Sequence, residues 1–269
     1  MTAREGLRVE VADGVGRIIL DRPDAKNALT IAMRDGIVDA VREFRGDRAV
    51  RAVLITGTGD AFCAGMDLGA STVAQAGREG FATRSTSEAL RAGVQTFIRE
   101  LWELDKPTVA AVNGTAVGPG AHLALACDFV LVHSSTRFLW SFHKWGLVAD
   151  AGGAYLLPRL VGLPRAKAIV MLGEAITGED AVTTGLAYRC VADAEVLAKE
   201  AAAIAARLAA GPTRSFGLSK QLLNASFETD LAHSLALEGH FQSLATTSPD
   251  LVEGMAAFRE KRDAHFSGE

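Results

Sequence analysis

Two short glycine-containing turns follow apolar segments and could present backbone N–H groups to a reacting oxygen. In the first, the apolar run 109–112 predicts a buried strand, and Gly118-Pro119-Gly120 forms a turn before the small, mostly apolar stretch 121–127. That stretch fits a buried helix that begins at the glycines. A helix N-terminus carries unpaired N–H groups and a partial positive charge, which suit an oxygen that becomes anionic.

A second turn of this kind lies at 61–69, directly after the apolar run 52–56. Taken alone, either turn is equally a packing corner that uses glycine for close approach, and the local sequence favours that interpretation. Two such turns together can converge backbone donors on one carbonyl oxygen.

Four segments, in order, resemble the signatures of the crotonase (enoyl-CoA hydratase/isomerase) superfamily. They are 22–29, 61–68, 111–128 and 253–262. The resemblance covers nearly the whole chain and implies an α/β fold, a ClpP-like spiral of ββα units followed by a helical C-terminal part that drives trimer formation. It also implies an acyl-CoA substrate whose thioester carbonyl is polarised by two backbone N–H groups, forming an enolate-like state.

The two positions of this oxyanion hole differ in how well they match the family. The resemblance assigns one donor to the N–H of Met66. At the second position the family usually has glycine and this chain has Pro119, which has no N–H. Proline is tolerated in the first turn of a helix. Either the N–H of Gly120 serves instead, or the hole has one donor.

The resemblance also predicts a binding surface for the CoA moiety. It consists of Lys26, Ala28, Ala64, Asp67, Leu68, Phe258 and Lys261. Lys26 is expected near phosphate, and the backbones of Ala28 and Ala64 near adenine, whereas Asp67 more simply fixes the turn. Phe258 and Lys261 are expected to reach the CoA of a neighbouring subunit. The alternative for the lysines is a solvated surface, and for Phe258 a buried ring.

The acid–base residues depart from the hydratase pattern. Hydratases of the family use two glutamates, and this chain has His122 and Phe142 at those positions. Ordinary hydration is therefore disfavoured, because a hydratase must orient water and move its proton. A third acid position, used by some isomerases and by aroyl-CoA dehalogenases, is Asp150. The surrounding segment 146–160 resembles the epoxyphenylacetyl-CoA isomerase and double-bond isomerase branch.

Each of these candidates has a structural alternative. Asp150 could cap the helix that starts near Gly152. His122, beside a helix N-terminus, is expected to be neutral, so that it accepts a proton or hydrogen-bonds the substrate, but it could also be a core histidine. Trp140, Phe142 and Trp145 could wall a pocket for a bulky acyl group, or only pack in the core.

Composition narrows the class of protein. The chain has 269 residues, 49% of them hydrophobic, which allows one large core. Its formal net charge of −4 argues against a nucleic-acid partner. The three cysteines lack metal-ligand spacing and predict a reduced, cytoplasmic protein without metal or separate cofactor. No signal peptide or membrane-length apolar run is expected.

Strand and helix patterns alternate up to about residue 190, which predicts an α/β sheet. Strands are expected at 7–11, 16–20, 50–56, 109–112, 129–132 and 186–191, and helices at 31–44 and 85–104. The rest is helical: 194–210, 213–226, 231–245 and 250–264. We therefore predict a spiral core at 1–193 and an oligomerisation and CoA-capping region at 194–269.

These features favour an acyl-CoA isomerase, with Asp150 moving the proton and His122 assisting. The first alternative is an enoyl-CoA hydratase. The second is an acyl-CoA-binding protein with little catalysis, suggested by Pro119 and the missing carboxylates. The expected assembly is a homotrimer or a dimer of trimers.

Overall fold

The six predicted strands and one N-terminal strand that the sequence analysis does not predict assemble into a seven-stranded sheet in the order β1-β2-β3-β4-β6-β8-β11. The structure, a computed structural model, describes residues 2–67, 69 and 83–269. Strands β1 to β3 are antiparallel, and β3, β4, β6, β8 and β11 run parallel. The strands are β1 (Thr2–Arg4), β2 (Leu7–Ala12), β3 (Val15–Leu20), β4 (Ala52–Gly57), β5 (Ala61–Cys63), β6 (Thr108–Val112), β7 (Thr115–Val117), β8 (Phe129–His133), β9 (Arg137–Leu139), β10 (Ile176–Thr177) and β11 (Arg189–Val191).

A second sheet, which the sequence analysis does not predict, has the order β10-β9-β7-β5. Its strands are two or three residues long, too short to show a hydrophobic period. Strands β5, β7 and β9 are parallel, with Ala61 opposite Thr115 and Cys63 opposite Ala116. This sheet matters for function because β5 and β7 each lead directly into one of the two turns.

The predicted helices are present with one exception, and two short helices, Leu163–Lys167 and Gly178–Thr183, are additional to the prediction. The helices are α1 (Ile31–Gly46), α2 (Thr83–Ala92), α3 (Val94–Trp102), α4 (Pro119–Leu125), α5 (Gly153–Val161), α6 (Leu163–Lys167), α7 (Gly178–Thr183), α8 (Ala194–Ala209), α9 (Thr213–Ala225), α10 (Leu231–Ala245) and α11 (Pro249–Glu260). Thr30 caps α1, since its side chain accepts from Met33 N. None of the described helices combines the length and hydropathy needed to cross a membrane.

The exception is the helix expected at 85–104, which the structure divides into α2 and α3. The prediction of one continuous helix is wrong because Gly93 leaves the helical region, with φ −106° and ψ −112°. A Cβ at this position would lie 2.5 Å from the carbonyl oxygen of Ala89 and from an Arg34 guanidinium nitrogen. The break therefore depends on glycine.

The seven-stranded sheet is covered on both faces. One face and the second sheet enclose the larger core, to which α1, α3, α4 and α5 contribute. The other face carries α8, whose Leu197, Ala201, Ala205 and Leu208 pack on β4, β6 and β8. Helix α8 thus contacts the sheet directly. The division at residue 193 stays a prediction.

Beyond α8, the last three helices leave much apolar surface exposed. Helix α10 has no buried residue, although its mean composition is apolar. The exposed apolar side chains of this region include Phe227, Leu231, Leu235, Val252 and Phe258. Exposed apolar side chains concentrated in one part of a chain suit an interaction site.

Helix α9 is anchored to the core by an ion pair between a buried lysine and a partly exposed aspartate. Lys220 donates to Asp128 Oδ2 at 3.1 Å and to the carbonyl oxygen of Leu101 at 3.2 Å. The same carboxylate oxygen accepts from the backbone N–H and the hydroxyl of Thr108. The network joins α9 to β6 and to the start of β8.

Replacing the buried lysine should cost far more stability than replacing an exposed one. We expect Lys220→Met to lower the free energy of unfolding by about 1–2 kcal/mol, because it removes the cation from a carboxylate that is only partly buried and that keeps its two Thr108 donors. The control is Lys199→Met, which breaks an exposed pair with Glu195 and should change stability by less than about 0.5 kcal/mol. Urea denaturation measures both, and equal midpoints for the two variants would contradict the structural role of Lys220.

Candidate functional site

The first turn, Ala64–Met66, follows β5 and is held against the residues before α1. Leu29 N donates to Gly65 O at 2.8 Å, and Asp67 N donates to Leu29 O at 2.9 Å, which makes a parallel bridge between Leu29 and Met66. Because backbone groups alternate along an extended segment, the N–H of Met66 faces away from Leu29. Among the described residues it has no backbone acceptor.

The second turn, Gly118–Gly120, connects β7 to α4. Gly118 has φ 47° and is the N-cap of the helix, and Pro119 occupies its first position. The carbonyl of Gly118 accepts from His122 N at 3.0 Å. Since proline has no N–H, the first free backbone donor of this turn is Gly120, for which no backbone acceptor exists within the described part of the chain.

The two turns are in van der Waals contact. A Cβ at Gly120 would lie 2.5 Å from the carbonyl oxygen of Cys63, and one at Gly65 would lie 3.0 Å from that of Val117 and 3.7 Å from Pro119 Cδ. Gly65 also has φ 90°, which L side chains rarely adopt. Only glycine fits these positions, so the approach of the two turns is encoded in their sequence. Their roles as oxyanion donors stay predictions.

Two residues without an assigned role in the sequence analysis hold the first turn in place. Asn27 is fully buried, and its amide donates to the carbonyls of Thr58 and Ala61 while its oxygen accepts from Arg22 N. Arg22 donates to Ala28 O at 2.7 Å and to Asp67 Oδ2 at 3.2 Å. The signal for them was the signature at 22–29, but the partners that join them to the segment around the first turn, Thr58, Ala61 and Asp67, lie more than thirty residues away in the chain.

The predicted CoA residues before α1 lie beside this turn. Lys26 has φ 49°, and its carbonyl accepts from Ala64 N at 2.9 Å. Ala28 offers its carbonyl to Arg22, and Asp67 contacts Arg22 and Gly69 N, so both of these groups are already engaged. Leu68 lies outside the described residues. The structure thus brings Lys26, Ala28, Ala64 and Asp67 together, and their contact with CoA stays a prediction.

Phe258 and Lys261 lie at the other end of the chain. Phe258 is 86% exposed and borders a groove of about 840 Å³ between α9, α10 and α11. Lys261 ends α11 in the left-handed conformation, with φ 55°. The buried-ring alternative for Phe258 is wrong. No hydrogen bond or ion pair within the described chain joins either residue to the two turns.

Asp150 is partly buried just before α5. The cap of α5 is Gly152, and Asp150 does not cap the helix with its side chain; its backbone carbonyl accepts from Gly153 N at 2.8 Å. Its Oδ1 atom is buried and has no hydrogen-bond partner among the described residues. Burial raises the pKa of this carboxyl group to about 6. The N-cap alternative is therefore wrong, and the carboxyl is free to exchange a proton near neutral pH.

His122 lies inside α4 and is fully buried. Its Nε2 atom accepts from Trp140 Nε1 at 2.9 Å, and its ring stacks on that of Phe142 with centroids 6.0 Å apart and planes at 5°. Burial lowers its pKa to about 3, and the backbone carbonyl of Asp150 opposes this shift only in part. The expected neutral imidazole is present, and burial, rather than the helix terminus, is the first cause.

The predicted pocket aromatics are divided between core and surface. Trp140 and Phe142 are buried, and Phe142 begins a short 3-10 helix. Trp145 is 62% exposed. Core packing thus describes Trp140 and Phe142 in the chain as observed. A wall for the acyl group stays a prediction for all three.

Comparison with known proteins identifies the family to which this site belongs. The family model for enoyl-CoA hydratase/isomerase matches residues 10–269. The chain belongs to the enoyl-CoA hydratase/isomerase family. The crotonase fold, expected from four short segments, is therefore confirmed along the chain.

Individual relatives carry both activity names of the family. The chain is 38% identical over 262 residues to a protein of Rhodobacter capsulatus named "Probable enoyl-CoA hydratase", covering 97% of this chain and 98% of that one. It is 37% identical to the 1,2-epoxyphenylacetyl-CoA isomerase of Escherichia coli, covering 96% and 97%. The crystal structure of an enoyl-CoA hydratase from Bacillus anthracis superposes with a TM-score of 0.89 at 30% identity, covering 98% and 100%.

The contact between the two turns predicts that Gly120 tolerates no side chain in this family member. We expect Gly120→Ala to reduce kcat by roughly 100-fold, because the new Cβ would displace the turn from Cys63 and with it the Gly120 donor. Steady-state kinetics with an acyl-CoA substrate measures the effect. Gly46→Ala, where a Cβ meets nothing within 4 Å, is the matched control. Equal kcat values for the two variants would remove Gly120 from the oxyanion site.

Proposed function

We propose that this protein is an acyl-CoA isomerase that works through a thioester enolate. The observation that supports it is the state of its acid–base residues. Asp150 is a partly buried carboxyl with a pKa raised to about 6 and an unpartnered oxygen. The two positions that carry glutamates in hydratases of the family hold a buried imidazole and a phenyl ring, which stack on each other. A proton shuttle requires one group that accepts a proton and returns it, and a single carboxyl group can do both.

The reaction follows from these groups. The thioester oxygen of a 3-enoyl-CoA accepts from the N–H of Met66 and of Gly120, which stabilises negative charge on that oxygen. The Asp150 carboxylate takes a proton from the α-carbon, and the electron pair moves into the enolate. Asp150 then returns the proton to the γ-carbon, the double bond shifts to the 2-position, and no atom is gained or lost. His122 stays neutral throughout and assists through hydrogen bonding.

Hydration is the first alternative, because the Rhodobacter capsulatus relative carries a hydratase name. A hydratase must hold a water molecule and deliver its proton and hydroxide to two carbons. Phe142 can do neither, and the Nε2 atom of His122 is already occupied by Trp140. Hydration by this chain would have to rely on Asp150 alone.

The second alternative is a protein that binds acyl-CoA with little turnover. Pro119 supports it, because this residue removes one N–H from the turn that supplies the second donor. The free N–H of Gly120, one residue later in the same first helical turn, supports catalysis instead. Measurement of α-proton exchange separates the two.

The central test is the fate of a 3-enoyl-CoA in heavy water. The wild-type protein should form the 2-enoyl-CoA and introduce deuterium at exchangeable carbons, and Asp150→Asn should lower the rate by at least about 100-fold while calorimetry shows unchanged binding. The wild-type rate should rise as the pH passes through about 6, because the base is the ionised carboxylate. Equal activity of Asp150→Asn would exclude Asp150 as the base.

Stability provides the control that this variant is folded. The pKa of Asp150 is raised above its ordinary value of 3.8, so the folded state holds the proton more tightly than the unfolded chain. Its contribution to stability is therefore full at low pH and is lost as the pH rises through about 6. Asp150→Asn lacks this loss and should have at pH 7 a Tm equal to or above that of the wild type.

The same assays separate the alternative functions. Formation of 3-hydroxyacyl-CoA from a 2-enoyl-CoA would favour the hydratase, and binding of acyl-CoA without proton exchange would favour the binding protein.

The assembly that fits this function is a cytoplasmic homotrimer, alone or as a dimer of trimers. The exposed apolar side chains of α10 and α11 supply a surface for subunit contact. In such a trimer, Phe258 and Lys261 would extend the CoA site of the neighbouring subunit, which would explain why both are exposed in a single chain. The three cysteines are free, as expected in a reducing compartment.

The proposed roles of Lys26 and Lys261 predict a substrate-dependent effect. We expect Lys26→Ala and Lys261→Ala each to raise the KM for an acyl-CoA several-fold and to leave the KM for the matching acyl-pantetheine unchanged. The shorter thioester lacks the nucleotide and its phosphates, so a lost phosphate contact cannot affect it. Lys199→Ala, an exposed lysine on α8, is the control. Equal increases for both thioesters would mean that the lysines act on the fold.

A further inference from the structure

A fully buried hydrogen bond joins two side chains, and the reaction described above does not use this bond. Trp140, which is 1% exposed, donates its indole N–H to Nε2 of His122 at 2.9 Å. We refer to these two residues as the indole–imidazole pair. It lies between α4 and the segment after β9, and it is adjacent to the start of α5.

The chemistry of the pair determines which nitrogen of His122 carries hydrogen. The indole nitrogen is a donor only, so the imidazole nitrogen opposite it must be an acceptor. A neutral imidazole has one N–H, which therefore lies on Nδ1. Protonation at Nε2, in the other tautomer or in the cation, would set two N–H groups against each other without water to separate them.

Packing fixes the orientation of the ring as well. The planes of His122 and Phe142 are nearly parallel, and Phe138 stacks on Trp140 with centroids 6.2 Å apart. The edge of the His122 ring that carries Cε1 and Nε2 lies against Gly153, where a Cβ would lie 2.2 Å from both atoms. The imidazole thus contacts the backbone of Gly153 directly, and it could not rotate without displacing either this backbone or the aromatic rings.

This contact leads to Asp150. Gly153 N donates to the carbonyl of Asp150 at 2.8 Å, and that carbonyl also acts electrostatically on the imidazole of His122. The Nδ1 atom of His122 has no hydrogen-bond partner among the described residues. The backbone that carries the Asp150 carboxyl therefore lies against a ring whose orientation and tautomer depend on Trp140.

We propose that Trp140 is a positioning residue, whose indole N–H holds His122 as the Nδ1–H tautomer and thereby fixes the backbone of Asp150 to Gly153. The catalytic part of this inference rests on the function proposed above. It assigns His122 the role of a fixed hydrogen-bond donor instead of a base. It also gives Trp140 a task other than walling an acyl pocket.

The test compares two tryptophan-to-phenylalanine variants of the full-length protein. In wild type labelled with 15N-histidine, His122 should show a protonated Nδ1 and an unprotonated Nε2, with the five other histidines as internal references. Trp140→Phe removes the N–H and retains a ring, and should populate the Nε2–H tautomer. Trp102→Phe makes the same change at a partly buried tryptophan of α3 and should leave His122 unchanged.

Two further measurements link the tautomer to Asp150. Trp140→Phe should increase hydrogen exchange at the amide of Gly153 at least tenfold, because this N–H donates to Asp150 O. It should also lower kcat for isomerisation about tenfold with KM nearly unchanged, because Asp150 is displaced while the CoA contacts remain. Trp102→Phe should change neither quantity.

The outcomes separate this inference from the proposed function. An Nε2-protonated His122 in the wild type, or an unchanged His122 signal and unchanged Gly153 exchange in Trp140→Phe, would overturn the positioning role. If the tautomer and exchange results appear as expected but the wild type does not isomerise a 3-enoyl-CoA, the proposed function fails and the structural role of the pair stands. A lower kcat with no change at Gly153 would also contradict the inference.

Discussion

The arrangement of the candidate site depends on the close contact of two backbone turns. Strands β5 and β7 run parallel, so the segments after them leave the second sheet in the same direction. At Gly65 and Gly120 the two backbones come so near that no Cβ fits between them. Backbone N–H groups can converge on one oxygen only if side chains do not separate the turns. The remaining elements of the site support this contact.

On one side of the contact, a network of polar side chains holds the first turn in place. Asn27 satisfies the carbonyls of the segment before β5, and Arg22 ties Ala28 to Asp67, so the first turn is held by hydrogen bonds from residues distant in sequence. On the other side, the support is aromatic: Phe142 lies 3.3 Å from the position that a Cβ on Gly118 would occupy. The core thus stabilises the two turns by different means. Every buried donor of Asn27 is matched, which keeps the cost of burying an amide low.

Asp150 is treated differently from these groups. One of its carboxyl oxygens is buried without a hydrogen-bond partner, and the N-terminus of α5 nearby has no side-chain cap. Such a group reduces stability at neutral pH, because burial opposes its charge. Its persistence in a well-packed region is consistent with a functional cause, since an acid that exchanges protons needs a pKa near the working pH. In His122 the Nε2 acceptor is satisfied by the indole N–H of Trp140, whereas Nδ1 has no hydrogen-bond partner among the described residues.

The amino-acid sequence by itself determined the long, periodic elements. The central strands and helices such as α1 and α8 agree with their predicted positions to within about two residues, because each carries a complete hydrophobic period and clear end signals. It also placed glycine at both turns, whereas Asp150 was marked as the available carboxyl only through the resemblance to the family. Those properties are local, so reading the chain is enough to find them.

Tertiary structure alone decided which groups meet. The second sheet consists of strands too short for a pattern, and the break at Gly93 depends on its contact with Arg34, a neighbour in space. The sequence allows Trp140 to be a pocket wall or a core residue, and only the structure shows that its indole N–H donates to the imidazole of His122, eighteen positions earlier. The pKa of Asp150 depends on burial by residues from several elements, which the sequence around it does not reveal. Contact and desolvation are properties of the folded chain, and they decide the chemistry of this site.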